Sequence, residues 1–274
     1  MNGELHIATG RKNGRTFLKS VYNTPPFKLA NITINRTAEK LQLMIMSASP
    51  GVLDGDRYNI KVELAEATAV EIKTQSYQRL FQMKTGAVQT MEVYMADISS
   101  LSYLPHPIVP HKSSSFTSHN RIFLSAGCSL IWGEVLTCGR QLNGESFSFT
   151  RYHNKTEIFQ QGKLIVKENL FLQPAVMNVG VIGQMEGYTH QASFIFINEK
   201  VNTKDLYNEI SGLLSREQDV CFGVSLLPVN GLTVRLLGYK GEQLHNCLEQ
   251  IAQLIESRMN QDHSPFTKSR IYAE

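Results

Sequence analysis

No apolar run in this sequence approaches the roughly 18 residues that a membrane-crossing helix requires. The opening residues, MNGELHIATGRKNGR, contain no apolar core of the kind a secretory leader uses. Neither a membrane partner nor export is therefore expected, and a cytoplasmic setting is. Charge of one sign is lacking as well. The 27 Lys and Arg face 24 Asp and Glu, well mixed, which gives no case for a nucleic-acid partner. Cysteine is sparse: Cys128, Cys138, Cys221 and Cys247 are far apart and form no CxxC pair. Reduced, mostly buried thiols are expected, not a disulfide framework or a zinc site.

The common catalytic motifs are missing too. There is no GxxxxGK ending in Ser or Thr, so hydrolysis of nucleotides by the P-loop route is excluded. No GxGxxG links a strand to a helix, and neither GxSxG nor HExxH occurs. Any enzyme built on this chain would need an unfamiliar constellation.

What the chain does have is alternation. Ile60, Val62 and Leu64 oppose Lys61 and Glu63, and Val70 and Ile72 repeat the pattern after a short connection, which predicts a β-hairpin over Tyr58 to Thr74. Asp56 sits at its mouth beside Gly55. Leu41 to Met46 predicts a strand buried on both faces, and Met91, Val93 and Met95 mark another. Ser113 to Ser118 reads as a hydroxyl-rich loop or edge, Leu130 to Leu136 as an apolar strand, and Asn154-Lys155 as a turn within a meander. Two helices follow. Residues 203–217 carry a stripe of Leu206, Ile210, Leu213 and Leu214 behind Thr203 as N-cap. Residues 242–259 hold Leu244, Leu248, Ile251 and Ile255 on one face. Residues 260–274 form a polar tail. With no repeat or linker in view, residues 1–274 read as one large domain. Its class is mainly β with two α-helices in the C-terminal third (α+β), its sheets layered in a β-helix-like way.

The acids deserve weighing one by one. Glu134 lies inside IWGEVL and Glu168 inside KLIVKENLFL, while Asp56 and Glu145 sit in glycine turns. A carboxylate among branched apolar residues loses hydration worth several kcal/mol unless it is paired, hydrogen-bonded or metal-bound. The plain alternative is that Glu134 and Glu168 face solvent on alternate strand positions. A paired-carboxylate hydrolase is a further alternative, and so is a carbohydrate-binding module, which would need an aromatic platform. His106 and His111 bracket a proline-rich extended loop that could hold a metal if both imidazoles were neutral and convergent.

Several blocks carry a family likeness. They are Gly14-Arg15-Thr16, Pro26-Phe27, Pro50-Gly51-Val52-Leu53-Asp54-Gly55-Asp56-Arg57, Thr74-Gln75-Ser76 and Tyr103-Leu104-Pro105. To these are added Trp132-Gly133-Glu134 through Arg140, Gly144-Glu145-Ser146-Phe147, Glu168-Asn169-Leu170 and Arg270-Ile271-Tyr272. Through them the chain resembles, end to end, the urease accessory proteins of the UreD (UreH) type. It departs from their pattern at Pro50 and Asp54, where glycines are usual, and at Gln82, His106 and Ser269.

The resemblance implies a non-enzymatic β-rich scaffold that binds apo-urease and a UreF-type protein, with a UreG-type GTPase recruited through UreF. It also implies nickel in transit, with no permanently bound cofactor. A moving Ni²⁺ sheds part of its hydration, and carboxylates compensate for that loss without the tighter hold of His and Cys. Asp56, Glu134, Glu145 and Glu168 are accordingly the expected footholds, with Thr74 and Gln75 as passage wall. His106, His111 and Cys138 are held in reserve as transient contacts, and Arg270, Ile271 and Tyr272 as a partner-binding anchor.

Overall fold

The computed structural model describes residues 1–35 and 38–262. The chain begins with two antiparallel pairs, β1 (Asn2–Lys12) with β2 (Arg15–Asn23) and β3 (Phe27–Asn31) with β4 (Leu41–Ser47). Next come β5 (Arg57–Leu64), β6 (Ala69–Thr74), the short β7 (Gln78–Leu80), β8 (Ala87–Met95), β9 (Ser100–Tyr103) and the short β10 (Ile108–Pro110). Then follow β11 (Ser115–Leu124), β12 (Ser129–Thr137), β13 (Arg151–Gln160), β14 (Lys163–Leu172) and β15 (His190–Asn198). The last elements are α1 (Thr203–Leu214), β16 (Cys221–Leu226), β17 (Gly231–Gly238) and α2 (Gly241–Asp262).

These strands form two sheets. The first has seven strands in the order β14-β13-β11-β8-β5-β1-β2. The second has ten, with β16-β17-β15-β12-β9-β6-β4-β3 as its path and β7 and β10 attached beside β12. From β5 to β13 the chain alternates between them, so that neighbours within each sheet are parallel: β5, β8, β11 and β13 in one, β6, β9 and β12 in the other. This gives the mainly β, α+β architecture, with β-helix-like coils at its centre.

The expected hairpin over Tyr58 to Thr74 is corrected. β5 and β6 are consecutive but belong to different sheets, and the connection at Ala65 to Thr68 carries the chain across, with Ala67 at φ 54°. Both strands alternate because each has one face on the shared interior. Ser115 to Ser118 and Asn154-Lys155 are corrected likewise, since both lie within central ten-residue strands, β11 and β13. Leu41, Leu43 and Ile45 are buried while Gln42, Met44 and Met46 are only half-buried, so β4 alternates and is not buried on both faces.

One apolar core lies between the sheets, around Leu5, Val62, Ile72, Val93, Phe116, Leu130, Trp132 and Ile158. A second lies between the ten-stranded sheet and the helices. There Leu206, Ile210 and Leu214 of α1 and Leu244, Leu248, Ile251 and Ile255 of α2 meet Ile131, Val135, Phe194 and Val234. α1 stops at Leu214, three residues short of the expected end, with Ser215 as C-cap. Its N-cap is Asn202, whose side chain accepts from the Lys204 N–H, and Thr203 is the first helical residue. α2 runs longer than expected in both directions. Among the described residues no helix is long and apolar enough to cross a membrane.

Candidate functional site

β12 is where the two cores meet. Its even positions, Leu130, Trp132, Glu134 and Leu136, turn toward the seven-stranded sheet, while Ile131 and Val135 turn toward the helices. Alternation therefore sends Glu134 inward, into the space between the sheets, and not to solvent. Opposite it, β11 and β13 run parallel in a register that places Asn120 beside Thr156 and Ser118 beside Asn154. The Asn120 Nδ2–H donates to Glu134 Oε1 at 3.1 Å. The Asn154 Nδ2–H donates to the other oxygen, Oε2. Asn120 also donates to Asn154 Oδ1 at 3.2 Å and to Thr156 Oγ1 at 3.0 Å.

Burial pushes the Glu134 carboxyl up to about 7. The Asn154 and Asn120 hydrogen bonds oppose that rise, and the nearby Glu168 charge adds to it. The Trp132 indole N–H favours the charged form, yet its Nε1 is buried without a partner at hydrogen-bonding geometry.

Two cavities converge on this carboxylate. The first, about 120 Å³, is lined by Thr74, Gln75, His106, Asn120 and Glu134 among others. The second, about 60 Å³, is lined by Glu134, Asn154, Glu168 and Arg235 among others. Glu134 and Val135 border both. Each cavity exceeds the roughly 10–15 Å³ that a single water needs. Glu168 stands at the outer end of the second, 3.3 Å from an Arg235 guanidinium nitrogen. In the first, Thr74 Oγ1 accepts from the His106 backbone N–H at 2.8 Å and lies 3.3 Å from its Nδ1, while the His106 ring stacks on His245 at 5.0 Å.

The fold thus brings Glu134, Glu168, Thr74, Gln75 and His106 around two cavities that share Glu134 and Val135, and leaves the other candidates elsewhere. Asp56 is buried near the chain start, where it accepts from the Met1 ammonium at 2.8 Å, the Leu53 N–H at 2.8 Å and the Tyr58 hydroxyl at 2.7 Å. Burial pushes its carboxyl up, but these three donors outweigh that and leave it below the usual range. Asp54, next to it, accepts from the Thr85 and Gly86 amides and the Thr85 hydroxyl. The left-handed residue of that turn is Gly55 (φ 77°), so aspartate at position 54 costs the backbone nothing. Glu145 pairs with the Arg140 guanidinium and accepts from the Lys112 N–H at 3.1 Å. His111 is buried edge-on against Phe81, and burial lowers its basicity. Cys138 is fully buried, and burial pushes its thiol up. Arg270, Ile271 and Tyr272 lie outside the described residues.

Over its whole length the sequence matches a known family. The model of the UreD urease accessory protein matches residues 1–271. The chain belongs to the UreD family. It is 44% identical over 264 residues to a urease accessory protein UreD of Flavobacterium johnsoniae, covering 95% of each chain. Against the UreD of Acetivibrio thermocellus it is 38% identical over 252 residues, 92% of this chain and 96% of the relative. A Haemophilus influenzae UreD is 36% identical over 270 residues, 94% of this chain and the whole of the relative.

Asn120 and Asn154, the residues that hold Glu134 in this candidate site of the UreD chain, were missed by sequence reasoning. A usable signal was there: each occupies an inward phase of the alternation, Phe116-x-Ser118-x-Asn120-x-Ile122 and Tyr152-x-Asn154-x-Thr156-x-Ile158. The geometry also bears on the other chemistries. The cavity of about 60 Å³ that Glu134 and Glu168 line is well below the roughly 300 Å³ of the smallest usual ligand sites. An aromatic row does exist on the outer face: Tyr94, Phe123 and Phe159 stack at 4.9 and 5.2 Å, nearly parallel. Those rings cover one another's faces, whereas a saccharide platform needs the faces open. Among the described residues no set of three or more His, Cys, Asp or Glu side chains converges to hold a metal ion.

Proposed function

We propose that this chain is a non-catalytic adaptor of urease maturation that lets Ni²⁺ cross it between its two sheets. In this reading it docks apo-urease and a UreF-type protein, a UreG-type GTPase joins through UreF, and nickel is cargo. The work belongs in the cytoplasm, where its free thiols stay reduced. The observation that carries the proposal is the meeting of two cavities at one buried carboxylate, Glu134, with Glu168 at the far end. Single, spaced acids give a divalent cation partial compensation for lost water without the multidentate hold that would keep it. Family membership supplies the urease context.

Glu168→Gln keeps the shape and removes one charge. The variant should assemble with its partners as the parent does, and urease matured by it should contain less nickel. Normal nickel content would remove Glu168 from the route. Glu145→Gln is the matched control, because its acid is engaged with Arg140 away from both cavities, and it should leave nickel content unchanged.

A further inference from the structure

We propose that Asn120 and Asn154 form an amide clamp that closes the junction between the two cavities and yields to a divalent cation by turning its carbonyl oxygens inward. The inference rests on the passage reading above and says how the passage is kept shut.

The argument starts from what surrounds Glu134. Each carboxylate oxygen is capped by an amide N–H, Oε1 by Asn120 and Oε2 by Asn154. The donor ends are therefore toward the acid, and the acceptor ends point away from it. Asn154 Oδ1 receives from Asn120, and Asn120 Oδ1 receives from the Ser118 hydroxyl at 3.5 Å. All three polar residues are buried. Without a cation the arrangement is self-consistent, because a desolvated carboxylate is compensated by donors.

It also blocks traffic. The lone pairs a cation needs are occupied, and the amides bridge the gap between the sheets at the residue both cavities share. Asparagine carries a donor and an acceptor at opposite ends of one planar amide, and its terminal torsion is broad and roughly two-fold. A half-turn of either amide withdraws a donor from Glu134 and presents a carbonyl oxygen, a suitable ligand for a partly hydrated divalent ion. The freed carboxylate oxygen need not remain unpaired, since the Trp132 Nε1–H, on the same strand face, has no other partner. Asn120 and Asn154 are thus positioning residues acting through Glu134. Leucine at either position has the same branching and number of side-chain heavy atoms, though it is bulkier, and can neither donate nor accept. Aspartate keeps the acceptor and cannot turn away its charge.

The test uses the full chain in its maturation complex. Asn120→Leu and Asn154→Leu should assemble with their partners yet lower nickel incorporation into urease by at least about tenfold, the scale at which groups orienting a metal ligand act. Asn154→Asp or Asn120→Asp should turn the junction into a holding site. Dialysed against nickel chloride alone, those complexes should retain about one nickel ion more per chain than the parent, an outcome that a merely structural asparagine would not produce. If the leucine variants load urease normally while Glu134→Gln is impaired, the clamp is wrong and the passage stands. If Glu134→Gln also loads normally, the passage itself fails. If the leucine variants do not fold, the aspartate variants decide: unchanged nickel retention overturns the clamp.

Discussion

The two faces of β12 border different surroundings. Toward the helices, Ile131 and Val135 join Leu248 and Ile251 in an apolar core. At Gly133 the approach is so close that a Cβ would lie 2.5 Å from Leu104 Cδ2 and 3.0 Å from Leu248 Cδ1. Toward the other sheet, Trp132 and Leu136 are buried in the core between the sheets, but Glu134 between them borders two cavities. The lesson concerns what close packing needs. Apolar side chains interdigitate until water is excluded, whereas a buried carboxylate demands partners on every side and leaves space where they do not fill it.

The contrast can be tested from its largest effect downward. Ile251→Ala, in the middle of α2 and fully buried, should cost roughly 2–5 kcal/mol in urea unfolding. A loss under about 1 kcal/mol would mean that the helix layer is not the tightly packed side. The next effect is on pH dependence. Burial raises Glu134 from 4.5 to about 7, so between those values the folded chain holds a proton that the unfolded chain has released. Its contribution to stability is present at low pH and is lost as pH rises toward and through 7, by roughly 3 kcal/mol. Glu134→Gln does not titrate. Its stability relative to the parent should therefore improve by about that amount between pH 4.5 and 8, other groups such as His190 cancelling in the difference. A flat difference would show that Glu134 is not buried as described. Smaller still, Gly133→Ala should cost about 1–3 kcal/mol by overpacking, measured by thermal melting. A neutral result would show that Leu104 and Leu248 have room to retreat.

The same contrast explains what the sequence disclosed. Both helices were legible because their apolar stripes recur at helical spacing, and Glu134 stood out as an acid inside an apolar strand. The pairing of strands was not legible. β5 and β6 alternate and follow closely, which is also how a hairpin looks; parallel partners such as β5 and β8 are distant in sequence and leave no local mark. Asn154 was hidden by its own chemistry, since asparagine beside lysine is a common turn signal and only the phase of its neighbours shows it to be inward. Asp56 and Glu145 could be placed in glycine turns from the sequence, but not beside their partners. Their actual partners, the Met1 ammonium and the Arg140 guanidinium, could be matched to them only in three dimensions.

The alternation of successive strands between the sheets has a mechanical corollary. The chain is wound like the thread of a nut, each turn supplying a strand to both sheets. Sliding one sheet past the other would have to unscrew every turn at once, so the backbone holds their spacing constant. In the passage proposed above, any modulation would therefore fall to side-chain rotation between rigid walls.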